Sequence, residues 1–167
     1  MTTATSTSTH TRTHTATFLA EVILGSVGDL LAALGIDAAR LYSRWDEDEA
    51  AIKKWIEEES LETVVIECVQ PTGKVAPIVE FPIIYTAYGL GDAAFTAQRA
   101  KLARYQAKLA SVPSGTTWGI VCTFRKSRTP MPGWSTGSRA STDGLRSANF
   151  GVLASAPHAS TSMRVLT

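Results

Sequence analysis

The sequence predicts an α+β domain in which three main helices cover one face of a small, mostly antiparallel sheet. Three observations predict it. Apolar residues recur at helical spacing in Ala16–Leu34, in Asp46 to about Ile56 and again after Asp92. A Val- and Ile-rich run, a Pro-Thr-Gly-Lys turn and a second extended run make a hairpin over residues 61–86. Strict alternation then marks one more strand, Trp118–Phe124.

In the first helix, Leu19, Ile23, Val27, Leu30 and Leu34 fall on one face, and Gly35 ends it in the position where a left-handed cap is needed. Asp37 opens a short second helix that carries Leu41. Asp46 is read as the cap of the third, with Glu49 completing a capping-box pair, and Ala51, Ile52, Trp55 and Ile56 as its buried face. Residues 37–62 hold nine acids against four bases, which reads as a solvated helical face.

The hairpin follows. Leu61–Gln70 is the first strand, Pro71-Thr72-Gly73-Lys74 the turn, and Val75–Thr86 the returning strand. Because Pro77 and Pro82 remove ladder donors, the second strand is expected at a sheet edge. Gly89–Gly91 break the chain, Asp92 caps a helix running to about Ala110, and Phe95, Leu102, Tyr105 and Leu109 form its stripe. In the last predicted strand the even residues Trp118, Ile120, Cys122 and Phe124 are apolar. Paired with Leu61–Gln70, that strand holds the other edge, and an open edge needs a cover.

Both ends of the chain are rich in Ser and Thr. Eleven of the first seventeen residues are Ser or Thr, so the early part has little to bury and is expected to be disordered. From Thr9 to Thr17 threonine occupies every odd position, a strand-like period that predicts conditional strand formation. Residues Ser127–Thr167 contain 13 Ser/Thr, 4 Gly and 3 Pro, together with four arginines and one acid, Asp143. Trp134, Leu145, Phe150, Val152, Leu153 and Val165 give this stretch enough apolar surface to pack, as an irregular segment or as short strands. It is the natural cover for the open edge, and a partner peptide fits the same place.

At 167 residues the chain makes about one domain. A net charge of +1 gives no argument for direct nucleic-acid binding. Two cysteines, Cys68 and Cys122, exclude a disulfide framework and lack metal-ligand spacing, and no cofactor is implied. The apolar stretch Phe18–Leu34 contains Glu21 and Asp29 and falls short of a membrane span, so a cytoplasmic, membrane-free protein is expected.

Two motifs invite enzymatic readings. Gly133-Trp134-Ser135-Thr136-Gly137 fits G-x-S-x-G, with Asp143 and His158 following in hydrolase order, which makes a small serine hydrolase using Ser135 the enzymatic alternative. The elbow needs a buried strand before the serine and a helix after it, and Thr129-Pro130-Met131-Pro132 precedes instead. Gly89-Leu90-Gly91-Asp92-Ala93-Ala94 matches a dinucleotide fingerprint, but Asp92 places negative charge where pyrophosphate belongs. A non-enzymatic binding module is the better reading.

Several stretches, in order and at compatible spacing, carry a family likeness: Thr13-His14-Thr15-Ala16-Thr17-Phe18, Arg44-Trp45, Ala51-Ile52-Lys53-Lys54-Trp55, Gly133-Trp134-Ser135 and Ser141-Thr142-Asp143-Gly144. On them the chain resembles the bacterial HORMA domain proteins of CBASS anti-phage operons. The resemblance implies a flexible tail (1–12), a HORMA core (13–125) and a C-terminal safety belt (126–167). It implies capture of a closure-motif peptide along the edge strand, here Thr117, Trp118, Gly119, Ile120, Val121, Cys122, Thr123, Phe124 and Arg125. The belt would hold it through Trp134, Leu145, Phe150, Val152 and Leu153. It further implies activation of a cGAS-like nucleotidyltransferase in the closed state. A Trip-type AAA+ ATPase would reopen the domain through a handle at Thr2, Thr3, Thr5, Thr7 and Thr9. Some such operons carry a second HORMA protein, and His158–Thr167 is then a candidate closure peptide for it.

Overall fold

The computed structural model describes residues 3–86 and 94–167, with side chains from Thr11 onward. Its elements run α1 (Thr3–Leu34), α2 (Ala39–Ser43), α3 (Trp45–Glu57), β1 (Leu61–Val69), β2 (Val75–Tyr85), β3 (Thr96–Ala97), α4 (Arg99–Gln106), β4 (Thr117–Phe124), β5 (Ser147–Ser155) and β6 (Ala159–Leu166). Among the described residues, all six strands form one antiparallel sheet in the order β3-β5-β6-β2-β1-β4.

Helix α1 lies against the sheet and is buried more widely than a single stripe. Ala20, Val22, Leu24 and Leu31 join the expected Leu19, Ile23, Val27, Leu30 and Leu34 in the core. A helix apolar over most of its circumference needs partners on more than one side, and α1 has them in the sheet, α3 and α4. The stretch Thr11–Leu34, at a mean hydropathy of 1.7, is long and apolar enough to cross a membrane, contrary to the expectation drawn from Phe18–Leu34; here most of it is buried within the fold. Gly35 ends the helix at φ +75°, and the Ile36 N–H reaches back to the Leu31 carbonyl at 2.9 Å.

The helix begins at Thr3, which corrects the reading of the N-terminal residues as a disordered tail or conditional strand. Extending an existing helix adds one hydrogen bond per residue without a new nucleation cost, so a strongly buried C-terminal part carries poor formers with it. The capping box is also absent. Arg44 occupies the N-cap of α3 without a side-chain cap bond, and Asp46 lies inside the first turn with Glu47 and Asp48, where the dipole favours acids. Glu49 instead accepts from the Trp45 indole N–H at 2.8 Å. The expected helix from Asp92 is shorter, beginning at Arg99 after the stub β3; Gly89, Gly91 and the Asp92 cap lie outside the described residues.

The hairpin forms as expected, with Gly73 at φ +88° in its turn. The edge assignment of its second strand is overturned. Strand β2 is interior, between β1 and β6. Both prolines fit because they fall outside the paired stretches of the β6 ladder. That ladder starts at Ile78↔Leu166, directly after Pro77, and skips from Glu80↔Arg164 to Ile83↔Thr161 around Pro82. The Thr161 hydroxyl donates to the Pro82 carbonyl at 3.0 Å across the gap.

The main core lies between helices and sheet, on the face carrying Val64, Ile66, Cys68, Val79, Phe81, Met163 and Val165. On the opposite, outer face a smaller cluster gathers Val65, Ile78 and Leu166, with Val75, Val121 and Leu145 packed on it.

Candidate functional site

Strand β4 is an edge, as expected. It pairs with β1 from Val69↔Thr117 to Leu61↔Phe124, and among the described residues no strand occupies its other side. Its alternation sorts the side chains as the sequence indicates. Trp118, Ile120, Cys122 and Phe124 face the helices, while Val121 faces the outer cluster. The Trp118 indole N–H donates to the Asp37 carbonyl at 3.1 Å and ties the strand to the turn before α2. Burial raises the Cys122 thiol above its usual range and the Cys68 thiol to about 11, so both sulfurs are packing groups rather than nucleophiles.

The segment 125–146 leaves β4 on the helix side and returns on the outer face. Its first half is pinned to α3 and the turn after it. The Glu58 carboxylate accepts from the Thr129 N–H at 2.9 Å and the Thr129 hydroxyl at 2.6 Å. The fully buried Trp55 donates from its indole to the Thr129 carbonyl at 2.7 Å. Trp55 stacks edge-on with Phe124 at 4.9 Å and with Trp134 at 5.1 Å, and Arg128 lies over the Trp55 and Phe124 rings. Arg44 donates to the Gly133 carbonyl at 3.0 Å. Gly133 has φ +79°, a left-handed conformation that favours glycine where the segment crosses α3.

The second half is held by buried charge on the other face. Glu80, only 3% exposed at the middle of β2, binds Arg139 from the segment and Arg164 from β6. Arg164 Nε donates to Glu80 at 2.9 Å. Glu67 on β1 accepts from the Ala140 N–H, and Leu145 packs on the outer apolar cluster. Burial opposes ionisation of Glu80 and Glu58. The arginines at Glu80 and the Thr129 hydrogen bonds at Glu58 outweigh it, and both carboxyls sit below their usual range. Segment 125–146 is therefore an arch around the β4 edge, with one foot fastened to α3 on the helix side and the other to the outer face of the sheet.

Between the arch, α2–α3 and the edge lies a cleft of about 180 Å³, lined by Arg40, Arg44, Asp48, Trp118, Ile120, Gly133, Trp134 and Ser135. Asp48 is buried, which raises its carboxyl even with Arg44 beside it at 3.3 Å.

The remaining expected site residues are distributed differently. Trp134 and Leu145 belong to the arch. Phe150, Val152 and Leu153 do not: they lie on β5, separated from β4 by β6, β2 and β1. Phe150 packs under Tyr105 and Lys101, Leu153 enters the main core, and Val152 is 54% exposed. The C-terminal part of the expected belt is thus built into the sheet, because the period-2 burial of β6 suits an interior strand. His158–Thr167 is likewise not a free tail, since Ala159–Leu166 pairs with β2 and β5. Thr2 lies outside the described residues, and Thr3, Thr5, Thr7 and Thr9 are in α1. The Gly133–Gly137 motif has no strand before it and no helix after it, and among the described residues no hydrogen bond joins Ser135, Asp143 and His158. His158 lines a small recess with Tyr85 and Arg12 instead. Sequence reasoning missed the Glu80 anchor; its signal was a lone acid inside an apolar run, Val79-Glu80-Phe81.

The architecture is that of an α+β domain whose sheet ends on a strand unpaired among the described residues, beneath an arch that runs from α3 to the outer face. The chain belongs to the bacterial HORMA domain family: the model for Bacterial HORMA domain 2 matches residues 4–164. A comparison with curated protein sequences gives no match. Among solved structures it is similar to a chain of the mitotic checkpoint complex, with TM-score 0.74 and 10% identity over 90% of this chain and 97% of that one. It is similar to C. elegans HTP-1 bound to a HIM-3 closure motif, with TM-score 0.70 and 12% identity over 91% and 89%. A chain of the E. coli MS115-1 CdnC:HORMA-deltaN complex aligns with TM-score 0.60 and 10% identity over 92% and 87%. At these identities the likeness is one of fold, here the HORMA fold.

Proposed function

We propose that this HORMA domain is a non-enzymatic signalling adaptor that captures an extended closure-motif peptide as an added strand on β4, beneath segment 125–146. In that state it docks on and switches on a cGAS-like nucleotidyltransferase in anti-phage defence. The observation that carries the reading is the regular β4 edge, unpaired among the described residues, under an arch that runs from α3 to the outer face of the sheet. Main-chain pairing supplies affinity and side-chain pockets on alternate faces supply specificity. An arch closed over the peptide makes release slow, and affinity differences reside mainly in dissociation. The HTP-1 structure, bound to a closure motif, and the CdnC:HORMA complex support the two halves of the reading.

The test is hydrogen exchange on the full chain with peptides selected from a random library. A bound peptide is expected to protect 117–125 together with 126–146, and to leave β5 unchanged. Protection confined to any other strand overturns the edge assignment. Trp134→Ala removes one foot of the arch, and peptide dissociation is expected to accelerate about tenfold, given about 0.5–1.5 kcal/mol for the aromatic pair beyond its buried area. Nucleotidyltransferase activation is tested by adding the peptide-loaded domain to a CdnC-type enzyme and measuring cyclic oligonucleotide synthesis. A Trip-type AAA+ ATPase is the proposed reopening partner, acting on the N-terminal end of α1. Deleting residues 1–12 is expected to abolish ATPase-driven peptide release while leaving peptide binding intact.

A further inference from the structure

We propose that the peptide captured at β4 carries a carboxylate side chain on its helix-facing side, paired with Arg40. This inference rests on the strand-addition reading above and adds the chemistry of the ligand. A strand laid along β4 points alternate side chains to opposite faces of the sheet. On the outer face they meet Gly119, Val121 and Thr123, which carry no charge. On the helix face they meet the cleft beside Trp118 and Ile120, whose volume of about 180 Å³ suits a single side chain.

The charges in that cleft are unequally committed. Arg44 is already engaged by Asp48 at 3.3 Å, Glu47 at 3.5 Å and the Gly133 carbonyl at 3.0 Å. Asp48, 4% exposed, is partnered by Arg44 and feels Arg40 more weakly, and Glu47 is not among the lining residues, so within the cleft two guanidinium groups face one carboxylate. Arg40 lines the same cleft, is solvent-exposed, and among the described residues forms no ion pair. The indole N–H of Trp134, another wall of the cleft, is buried without a hydrogen-bond partner. The surplus is thus of donors and positive charge. A carboxylate offers about four acceptor sites and no donor, and meets that surplus. A basic side chain would face two guanidinium groups, and a neutral aliphatic one would leave the donors unmet.

The experiment is a double-mutant cycle. A random peptide library is selected on the full-length chain, and one selected peptide, its acid→amide variant, wild type and Arg40→Gln are combined pairwise. Dissociation constants are read by fluorescence polarisation at low ionic strength, where the pair is least screened. Selected peptides are expected to share Asp or Glu at a position facing the helices. The amide variant is expected to bind about fivefold more weakly to wild type and nearly unchanged to Arg40→Gln, as a partly exposed charge pair allows. Equal losses against both proteins, or selected peptides without an acid at that position, overturn the carboxylate assignment while leaving strand capture standing. A selection that yields no binder at all overturns strand capture and this inference together. Because Arg40 is exposed on a short helix, its replacement by Gln spares the core, and an unchanged urea midpoint verifies that the comparison is of binding alone.

Discussion

The two edges of the sheet are built in opposite ways. The β5 edge is blunted. Its ladder to β6 shifts register twice, between Asn149 and Gly151 and between Val152 and Ala154, and among the described residues only the two-residue β3 pairs outside it. Gly151 sits at φ +92° in the first irregularity, and Lys101 from α4 reaches over to the Phe150 carbonyl at 2.7 Å. Bulges, a stub partner and a covering cation are the means by which a sheet prevents unwanted pairing. The β4 edge has none of these along its outer side. Its ladder to β1 keeps a single register from Thr63 to Val69, and its one shift lies at the end, beside Leu61. The straight edge under the tethered arch is the one on which the proposed strand capture rests, whereas the other edge is closed by its own geometry.

The largest expected effect comes from removing the wall on which the arch leans. Trp55 is fully buried and contacts Phe124, Trp134 and the Thr129 carbonyl, so Trp55→Ala is expected to cost about 3–5 kcal/mol in urea unfolding. A loss below 1 kcal/mol would mean that the arch does not depend on that wall. On the outer face, Glu80→Gln withdraws the charge shared by Arg139 and Arg164. Both arginines are partly exposed and regain water, which holds the cost to about 2 kcal/mol, with faster amide exchange confined to residues 136–146.

Acid sharpens the same point. Glu80 and Glu58 are held below their usual range, so their contribution is complete above the unfolded carboxylate value of about 4.3 and is lost as pH falls through the folded values. Urea midpoints are expected to fall below about pH 4 in the wild type and to fall less in Glu80→Gln. Equal slopes for the two proteins would remove Glu80 from the account. The smallest effect belongs to the blunted edge. Gly151→Ala forces a side chain into a left-handed conformation at about 1–2 kcal/mol, with no change in peptide binding at β4.

Much of this arrangement is legible in the sequence wherever a local rule operates without competition. The α1 core stripe ending at Gly35, the hairpin around Gly73, the alternation of Trp118–Phe124 and its position as an edge on Leu61–Gln70 follow from period, turn chemistry and burial. Local rules mislead where distant segments pay the local cost. Pro77 and Pro82 argue for an edge, yet β2 is interior because the β6 ladder is interrupted where the prolines need it to be. The Thr-rich start argues for disorder or a strand, yet it continues α1.

The candidate site divides along the same line. Trp134 and Leu145 are apolar residues in a polar stretch, and that contrast alone marks them as anchors. Phe150, Val152 and Leu153 carry the same mark but belong to the far edge, because composition reports that a side chain packs and not against what. Arg40 and Arg139 carry no local mark, and the acid Glu80 in its apolar run signals that it has a partner without saying which, since a charge becomes informative only through its partner. The sequence by itself determined the buried stripe of α1, the third helix, the hairpin and the β4 strand left at the edge, because these depend on periodicities within a few residues. Only the tertiary structure decided which strands flank β2, where the C-terminal residues pair and which charges meet across the arch. Those are contacts between residues as distant in sequence as Glu80 and Arg164, 84 positions apart, whose energy no local pattern encodes.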